Sequence, residues 1–563
     1  MTGKRQSRRV ETSAPTVGEG DAINFGTKVW PTKPPPPLKR PRHPPSFRPL
    51  QVYAFGPGLG RTPINIRTLL VRYEPLAPGP TGERIAVVDY DSSRNCFYDP
   101  VDLDDPLIAM NGGLDPSESD PRFHQQMVYA IANDTLHRIE VALGRTIRRR
   151  TLTEAKPLRV VIFPHGGVIA QSYVKENRMV FGYFQAGDAA AGRTVPGQTV
   201  FTCLVTDAVI NQTANMIQTA MRPDLDGPDA AAGRRRDTTW LDNDAIVAAV
   251  CDLTSLLFHF GYREAVLDTI QRTAGVIYRS QLDMDSDSTR QAPRIIAELA
   301  AENPLLAMGQ DFGEAVGQRA GLRSALASPD PRALEHANDR WSRGAIVVAA
   351  VFDALFSIYQ RRTVDLYRIF RAGGGRLQGN DVPEPLANRL CAEVERIATR
   401  VFNMCWRALD YCPAGAIELG DFLRACITAD FEYSGDDLWG LRDAMMQAFR
   451  LRGIKSSTAS FFTEDALRWR VIDSSTLNSR GPADLSQDAV RAFVMSNAKS
   501  LGGSPKAQLK VYPIEQAQLT APDDRPQTTY FTQVLWKAAR GMTLVFDGQG
   551  FLKYAICSKG ATR

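Results

Sequence analysis

At 563 residues the chain exceeds the size at which a single hydrophobic core stops growing, so two or three domains are expected. An apolar fraction of 44% with 23% charged residues belongs to a globular protein and excludes a wholly disordered or fibrous chain. The net charge of +5 is lopsided: ten Lys or Arg against three Asp or Glu in residues 1–50 give +7, leaving +5 − 7 = −2 for the rest, so the folded body carries no composition argument for nucleic acid.

Residues 1–49 hold ten of the 36 prolines among basic residues and read as a disordered or polyproline-like tail. From residue 50 to 204 the pattern is mixed. Strands are predicted at 51–55, 67–73, 84–90, 158–163, 179–184 and 199–204, with one amphipathic helix near 120–144. The glycine-rich stretch Gly56–Gly60 lacks the Lys-Ser/Thr ending of a phosphate-binding loop and reads as a turn. Arg148–Arg150 reads as a solvated face. From 205 to 470 helical periodicity dominates, strongest at 245–260, 262–278, 344–370, 385–409, 419–429 and 436–451. Residues 471–563 are expected to form a small α/β appendage, with a helix at 486–498 and a terminal hairpin over 543–556.

The stretch Pro196–Arg222 is the point around which the rest is organised. A β-branched, apolar strand leads into a helix with apolar residues at Val209, Ile210, Ala214, Ile217 and Met221. Asn211, Gln212 and Asn215 fall within that helix, and Asn211 and Asn215, four apart, share a face. Zinc hydrolases place His-Glu-x-x-His on a helix so that two imidazoles grip the metal and the Glu activates its water. Here that frame holds Asn-Gln-x-x-Asn.

The segment resembles bacterial gluzincin, thermolysin-like metallopeptidases. Further similar wording occurs at Glu83–Asp91, Asp115–Tyr129, Val180–Phe184, Arg343–Asp353, Arg407–Pro413 and Ala466–Arg470, so the resemblance spans about residues 50–470. It implies an α+β, two-lobed scaffold, an N-terminal α/β lobe and a C-terminal helical lobe meeting at a cleft. It also implies that Asn211 and Asn215 occupy two ligand positions and Gln212 that of the general base. Ala248 occupies the third ligand position, and Asp252 the place that orients a ligand imidazole. Ile169 and Ala170 occupy the substrate-holding pair on the edge strand, and no histidine follows His336 to stabilise an oxyanion.

An amide oxygen is a poor zinc ligand, and Gln cannot accept a proton at ordinary pH. The expectation is therefore a catalytically inactive homologue without zinc, whose former cleft binds an unknown protein or peptide in a binding, scaffolding or assembly role. Two alternatives stand beside it. One is a hydrolase with an atypical metal near Asp207, Asp244 and Asp252; the other is a structural protein whose basic arm contacts a polyanion. A polar loop at 222–240, with Arg234–Arg236, is read as a variable surface loop. His124, His137 and His259 are read as helix histidines rather than ligands. Eight scattered cysteines without a C-x-x-C pair suggest buried thiols in a reducing compartment. No apolar run approaches a membrane span, since 345–359 is interrupted by Asp353, so a cytoplasmic chain is expected.

Overall fold

The structure, a computed structural model, describes residues 22–25, 28–31, 45–151, 155–167, 170–173, 176–190, 192–222, 238–275, 277–278, 280, 282, 303, 305–315, 323–375, 382–415, 417–501, 509–536 and 540–557. It is mixed α and β, as expected. The chain divides into two compact units, each assembled from separated segments: residues 1–136, 158–216 and 309–322, and residues 137–157, 217–308 and 323–563. This division differs from the predicted one at three places. Most of the motif helix belongs with the α/β unit, residues 137–157 belong with the helical unit, and the C-terminal module belongs to the helical unit too.

Within the predicted tail, β1 (Ala22–Phe25) and β2 (Lys28–Pro31) pair as an antiparallel hairpin; the rest of that tail up to residue 44 lies outside the described residues. In the first unit, β3 (Phe47–Tyr53) pairs antiparallel with β4 (Ile66–Arg72). The turn between them is held by buried Asn65, whose amide accepts from Phe55 N and donates to the carbonyls of Gly56 and Gly60. β5 (Ile85–Val87) is followed by the short pair β6 (Tyr90–Asp91) and β7 (Cys96–Phe97). A short helix α1 (Pro106–Met110) then precedes the long helix α2 (Pro121–Leu143). β8 (Arg148–Arg150) and β9 (Ala155–Pro157) form a small hairpin of the second unit.

The first unit's sheet has the order β11-β12-β10-β5, built from β10 (Val160–Gly167), the edge strand β11 (Gln171–Tyr173) and β12 (Arg178–Gln185), with β13 (Thr199–Phe201) on the end of β12. β5, β10 and β12 run parallel, whereas β11 and β13 are antiparallel. Buried on both faces, β10 reads as the apolar run Val160–Phe163 that a central parallel strand requires. After a 3₁₀ turn at Thr202–Leu204 comes α3 (Thr206–Met221).

The second unit carries α4 (Thr238–His259), α5 (Arg263–Arg272) and the short pair β14 (Ala307–Met308) and β15 (Arg323–Ser324). Between these last two, α6 (Gln310–Ala315) returns to the first unit. α7 (Ala333–His336), α8 (Arg340–Ala372), α9 (Glu384–Ala408), α10 (Leu419–Ser434), α11 (Leu441–Leu451) and α12 (Glu464–Leu467) follow. α8 begins at Asp339, whose carboxylate accepts from the N–H groups of Trp341 and Ser342, satisfying two otherwise orphaned donors. Among the described residues α8 is the one helix long and apolar enough by itself to cross a membrane, and 78% of its apolar window is buried within the protein.

The C-terminal module contains α13 (Gln487–Ser496) and one antiparallel sheet of five strands. These are β16 (Leu509–Val511), β17 (Glu515–Thr520), β18 (Pro526–Trp536), β19 (Arg540–Phe546) and β20 (Leu552–Cys557). The predicted hairpin is β19–β20; β16, β17 and β18 fall where a polar stretch was expected. Polar Gln527, Thr528 and Thr529 at the start of β18 hide its buried second half, Phe531 to Val534.

Arg148–Arg150 also departs from the solvated face predicted. Arg150 is buried, with its guanidinium 3.5 Å from Glu515, and Arg145 pairs with both Asp410 and Glu515. Arg148 is exposed as expected, whereas Arg150, like Arg145 before the run, supplies a counter-charge to buried Glu515, which would otherwise be desolvated without compensation.

Candidate functional site

α3 starts where two hydrogen bonds tie it to the end of β3 and the residues beyond: Thr206 N donates to Phe55 O at 2.9 Å and Thr206 Oγ1 donates to Tyr53 O at 2.6 Å. Asp207, buried in its first turn, accepts from Gly309 N at 2.9 Å and places a negative charge at the helix N-terminus. Val209, Ile210, Ala214 and Ile217 form the core face. Asn211, Gln212 and Asn215 remain half-buried. Asn215 Nδ2 donates to Ser172 Oγ at 2.6 Å, so the second amide of the frame is tied to the edge strand β11. Ala170 lies half-buried one residue before that strand, and Ile169 falls outside the described residues.

Ala248 and Asp252 are both buried on α4, four residues apart. The helix presents small residues to α8: a Cβ added at Gly344 would lie 3.0 Å from Ala245 O, 3.4 Å from Ala249 N and 3.5 Å from Ala248 Cβ. Ala248, the position that the resemblance matches to a ligand Glu, is therefore part of a close helix crossing. Further along, α4 receives the end of α3, where Gln218 Nε2 donates to Val247 O and to Cys251 Sγ. Of the carboxylates considered for an atypical metal, Asp207 is thus committed to a backbone N–H. The Arg234–Arg236 loop lies outside the described residues.

A second cluster lies deeper in the first unit, and sequence reasoning missed it. His124 from the first turn of α2, His165 from β10 and Cys203 from the 3₁₀ turn before α3 are 1%, 2% and 0% exposed. Their nitrogen and sulfur ligand atoms all lie within 4.8 Å of one another. His124 Nδ1 and His165 Nε2 are 2.8 Å apart. His165 Nδ1 faces Asp89 Oδ1 at 2.6 Å, and His124 Nε2 faces the carbonyl of Glu118 at 3.1 Å. Asp89 is held in turn by Gln125 Nε2 at 3.0 Å, while Gln125 Oε1 accepts from Val101 N. Burial first, then the neighbouring His165, pushes the His124 pKa down to about 3, so this imidazole is neutral at ordinary pH. Burial pushes the Cys203 thiol well up.

Local structure explains how these groups meet. The pairing of β10 with β12 shifts register between Phe163 and Gly167, and this bulge carries His165; bulges of this kind re-aim a side chain. Gly166 is required inside it, since a Cβ there would stand 2.9 Å from Val180 Cγ1 and 3.0 Å from Phe163 Cβ. Thr202 Oγ1 donates to Gly182 O and accepts from Gly182 N, fixing the turn that presents Cys203. Phe201 packs on both imidazoles, with ring centroids 4.8 Å from His124 and 5.7 Å from His165, and Tyr98 covers His165 at 5.0 Å. No spacing motif could have announced the cluster, because its members come from three separate elements.

Beside it, Asp91 is fully buried and accepts from Ser93, the Arg94 backbone, Tyr98 and Tyr183. Burial opposes the charged form, but these hydrogen bonds outweigh it and hold the carboxyl below its usual value. The stability it contributes is complete above the unfolded carboxyl pKa, about 4, and is lost as pH falls through the lower folded value. An Asp91→Asn variant should therefore show a shallower loss of stability below about pH 4 in acid denaturation followed by circular dichroism. Equal slopes would show that Asp91 is not coupled to folding.

The second unit also holds a concavity of about 380 Å³, lined in part by Arg407, Asp410, Glu432 and Lys553. Its charges are mutually engaged: Glu432 accepts from Lys553 and from Tyr554, and Asp410 from Arg145. Neither a known protein family nor a curated protein matches the sequence.

Proposed function

We propose that this chain is a catalytically inactive protein of thermolysin-like, two-lobed architecture that binds an extended peptide or protein segment beside α3 and β11. The observation that supports this most is the Asn215–Ser172 hydrogen bond. At a position where a hydrolase needs an imidazole lone pair, this chain has an amide N–H donated to the edge strand. Asn211 and Gln212 beside it are amides as well, and neither is a good zinc ligand or a base. Among the described residues β11 is the terminal strand of its sheet, pairing with β12, and an edge strand can add an extended segment through main-chain hydrogen bonds. Amides suit such a partner, because they bond backbone groups of either polarity without hydrolysing them.

The test is fluorescence anisotropy with labelled, unfolded casein fragments as probe, alongside a cleavage assay on the same fragments with and without added zinc. Wild type should bind and leave them intact, and Asn211→Trp, at a half-buried position on the frame face, should weaken binding about tenfold or more, a loss of roughly 1.4 kcal/mol. Cleavage that a chelator abolishes would establish the hydrolase alternative and sink this reading. Binding unchanged by Asn211→Trp would also sink it.

A further inference from the structure

We infer that His124, His165 and Cys203 form a binding site for a divalent metal of zinc type, separate from the amide frame on α3 and independent of the function proposed above. The argument begins with the protons. The Glu118 carbonyl can only accept, so His124 Nε2 must carry a hydrogen. A carboxylate likewise accepts, so His165 Nδ1 carries one toward Asp89. With both outer nitrogens protonated, the inner nitrogens, His124 Nδ1 and His165 Nε2, face each other at 2.8 Å as two lone pairs. Two lone pairs at that separation repel unless a positive centre lies between them.

The surroundings fit a metal in that place. Metal-bound imidazoles characteristically donate their other N–H to a carboxylate or a backbone carbonyl, and here one does each. Asp89 is itself fixed by Gln125, the residue next to His124 on α2, so the orienting group is oriented. Cys203 brings a third donor to the same point, and two nitrogens with one thiolate suit zinc well. Zinc–nitrogen bonds of about 2.0–2.1 Å at tetrahedral angles set ligand nitrogens about 3.3 Å apart, so the imidazoles need separate by only about half an ångström. On binding, Cys203 loses its S–H proton to solvent. A dication, one thiolate and the Asp89 carboxylate then sum to zero charge, which a buried, aromatic-walled site requires. The near-complete burial of all three ligands means that the ion is acquired as the chain folds and released slowly.

The experiment compares wild type with Cys203→Ala and His165→Gln, each unfolded and refolded with excess zinc or cobalt(II), desalted and assayed for metal by elemental analysis. Wild type should retain about one ion per chain and the variants less than a tenth of that. Cobalt-loaded wild type should show an intense thiolate-to-cobalt charge-transfer band that Cys203→Ala lacks. Reading that band on wild type keeps the test decisive even where a variant fails to refold. Refolded wild type that binds neither ion would overturn the inference and leave a shared proton between the imidazoles. So would bound metal that persists in Cys203→Ala and His165→Gln. Metal lost instead with Asn211→Ala and Asn215→Ala would overturn it too, and would contradict the reading of the α3 frame as well.

Discussion

Replacing Asp353 by Ala is expected to lower the stability of the second unit by about 3–5 kcal/mol, the usual consequence of stranding one partner of a buried ion pair. Asp353 sits in the apolar middle of α8 with its side chain 1% exposed, and its Oδ2 lies 2.7 Å from Nη2 of Arg452, whose side chain is 2% exposed. Ser280 Oγ bonds the other carboxylate oxygen at 3.3 Å. Arg452 also donates to the carbonyls of Ala448 and Ala327. These neutral dipoles cannot balance a guanidinium taken out of water. Urea denaturation should show a lower midpoint at unchanged slope. The double variant Asp353→Leu with Arg452→Met should recover most of the loss, because an apolar pair replaces the charged one. A loss below about 1 kcal/mol for Asp353→Ala would mean that the pair is effectively hydrated.

The second large effect concerns an attempt to build a zinc site on the amide frame. Ala248→Glu is expected to destabilise the protein by about 3 kcal/mol or more, from overpacking and from burying a carboxylate without a partner. Ala248 is 5% exposed, and its Cβ lies 3.5 Å from where a side chain on Gly344 would begin. The α4–α8 crossing is close because both helices are small-sided there. Gly344→Ala, whose new Cβ would stand 3.0 Å from Ala245 O, tests the same contact from the other helix and should lower stability by about 1–3 kcal/mol. Thermal melts of Ala248→Glu, alone and combined with Asn211→His, Gln212→Glu and Asn215→His, should show that the Glu accounts for most of the loss. A melting temperature within about 2 °C of wild type for Ala248→Glu would show that α8 yields easily, and would reopen this position as a ligand site.

Elements with a clear period were legible in the sequence, and those specified by distant partners were not. α2, predicted over 120–144, runs Pro121–Leu143, because its apolar stripe and the stop at Gly144 are local signals. The motif helix was legible for the same reason. β17 and β18 were missed since their alternation is interrupted by polar residues, and what makes them strands is pairing with each other and with β19. Arg150 looked like surface because its counter-ion, Glu515, is far along the chain. The His124–His165 contact spans 41 residues and depends on a bulge, a feature that no residue spacing encodes. His124 was visible as a helix histidine, and only the fold shows what its ring meets.

The Asp353–Arg452 pair also has a history in time. Its partners are 99 residues apart, so at a synthesis rate of about 5–20 residues per second the carboxylate waits roughly 5–20 s for its guanidinium. During that interval a nascent helix apolar enough to be taken for a membrane segment carries a lone charge at its centre. A lone charge there would oppose insertion into a bilayer by about 2.5–3.5 kcal/mol. Arg452 then neutralises the carboxylate once enough chain has emerged to bury the helix. The same carboxylate that interrupts the apolar middle of the finished helix thus lessens its likeness to a membrane span while its partner is still unmade.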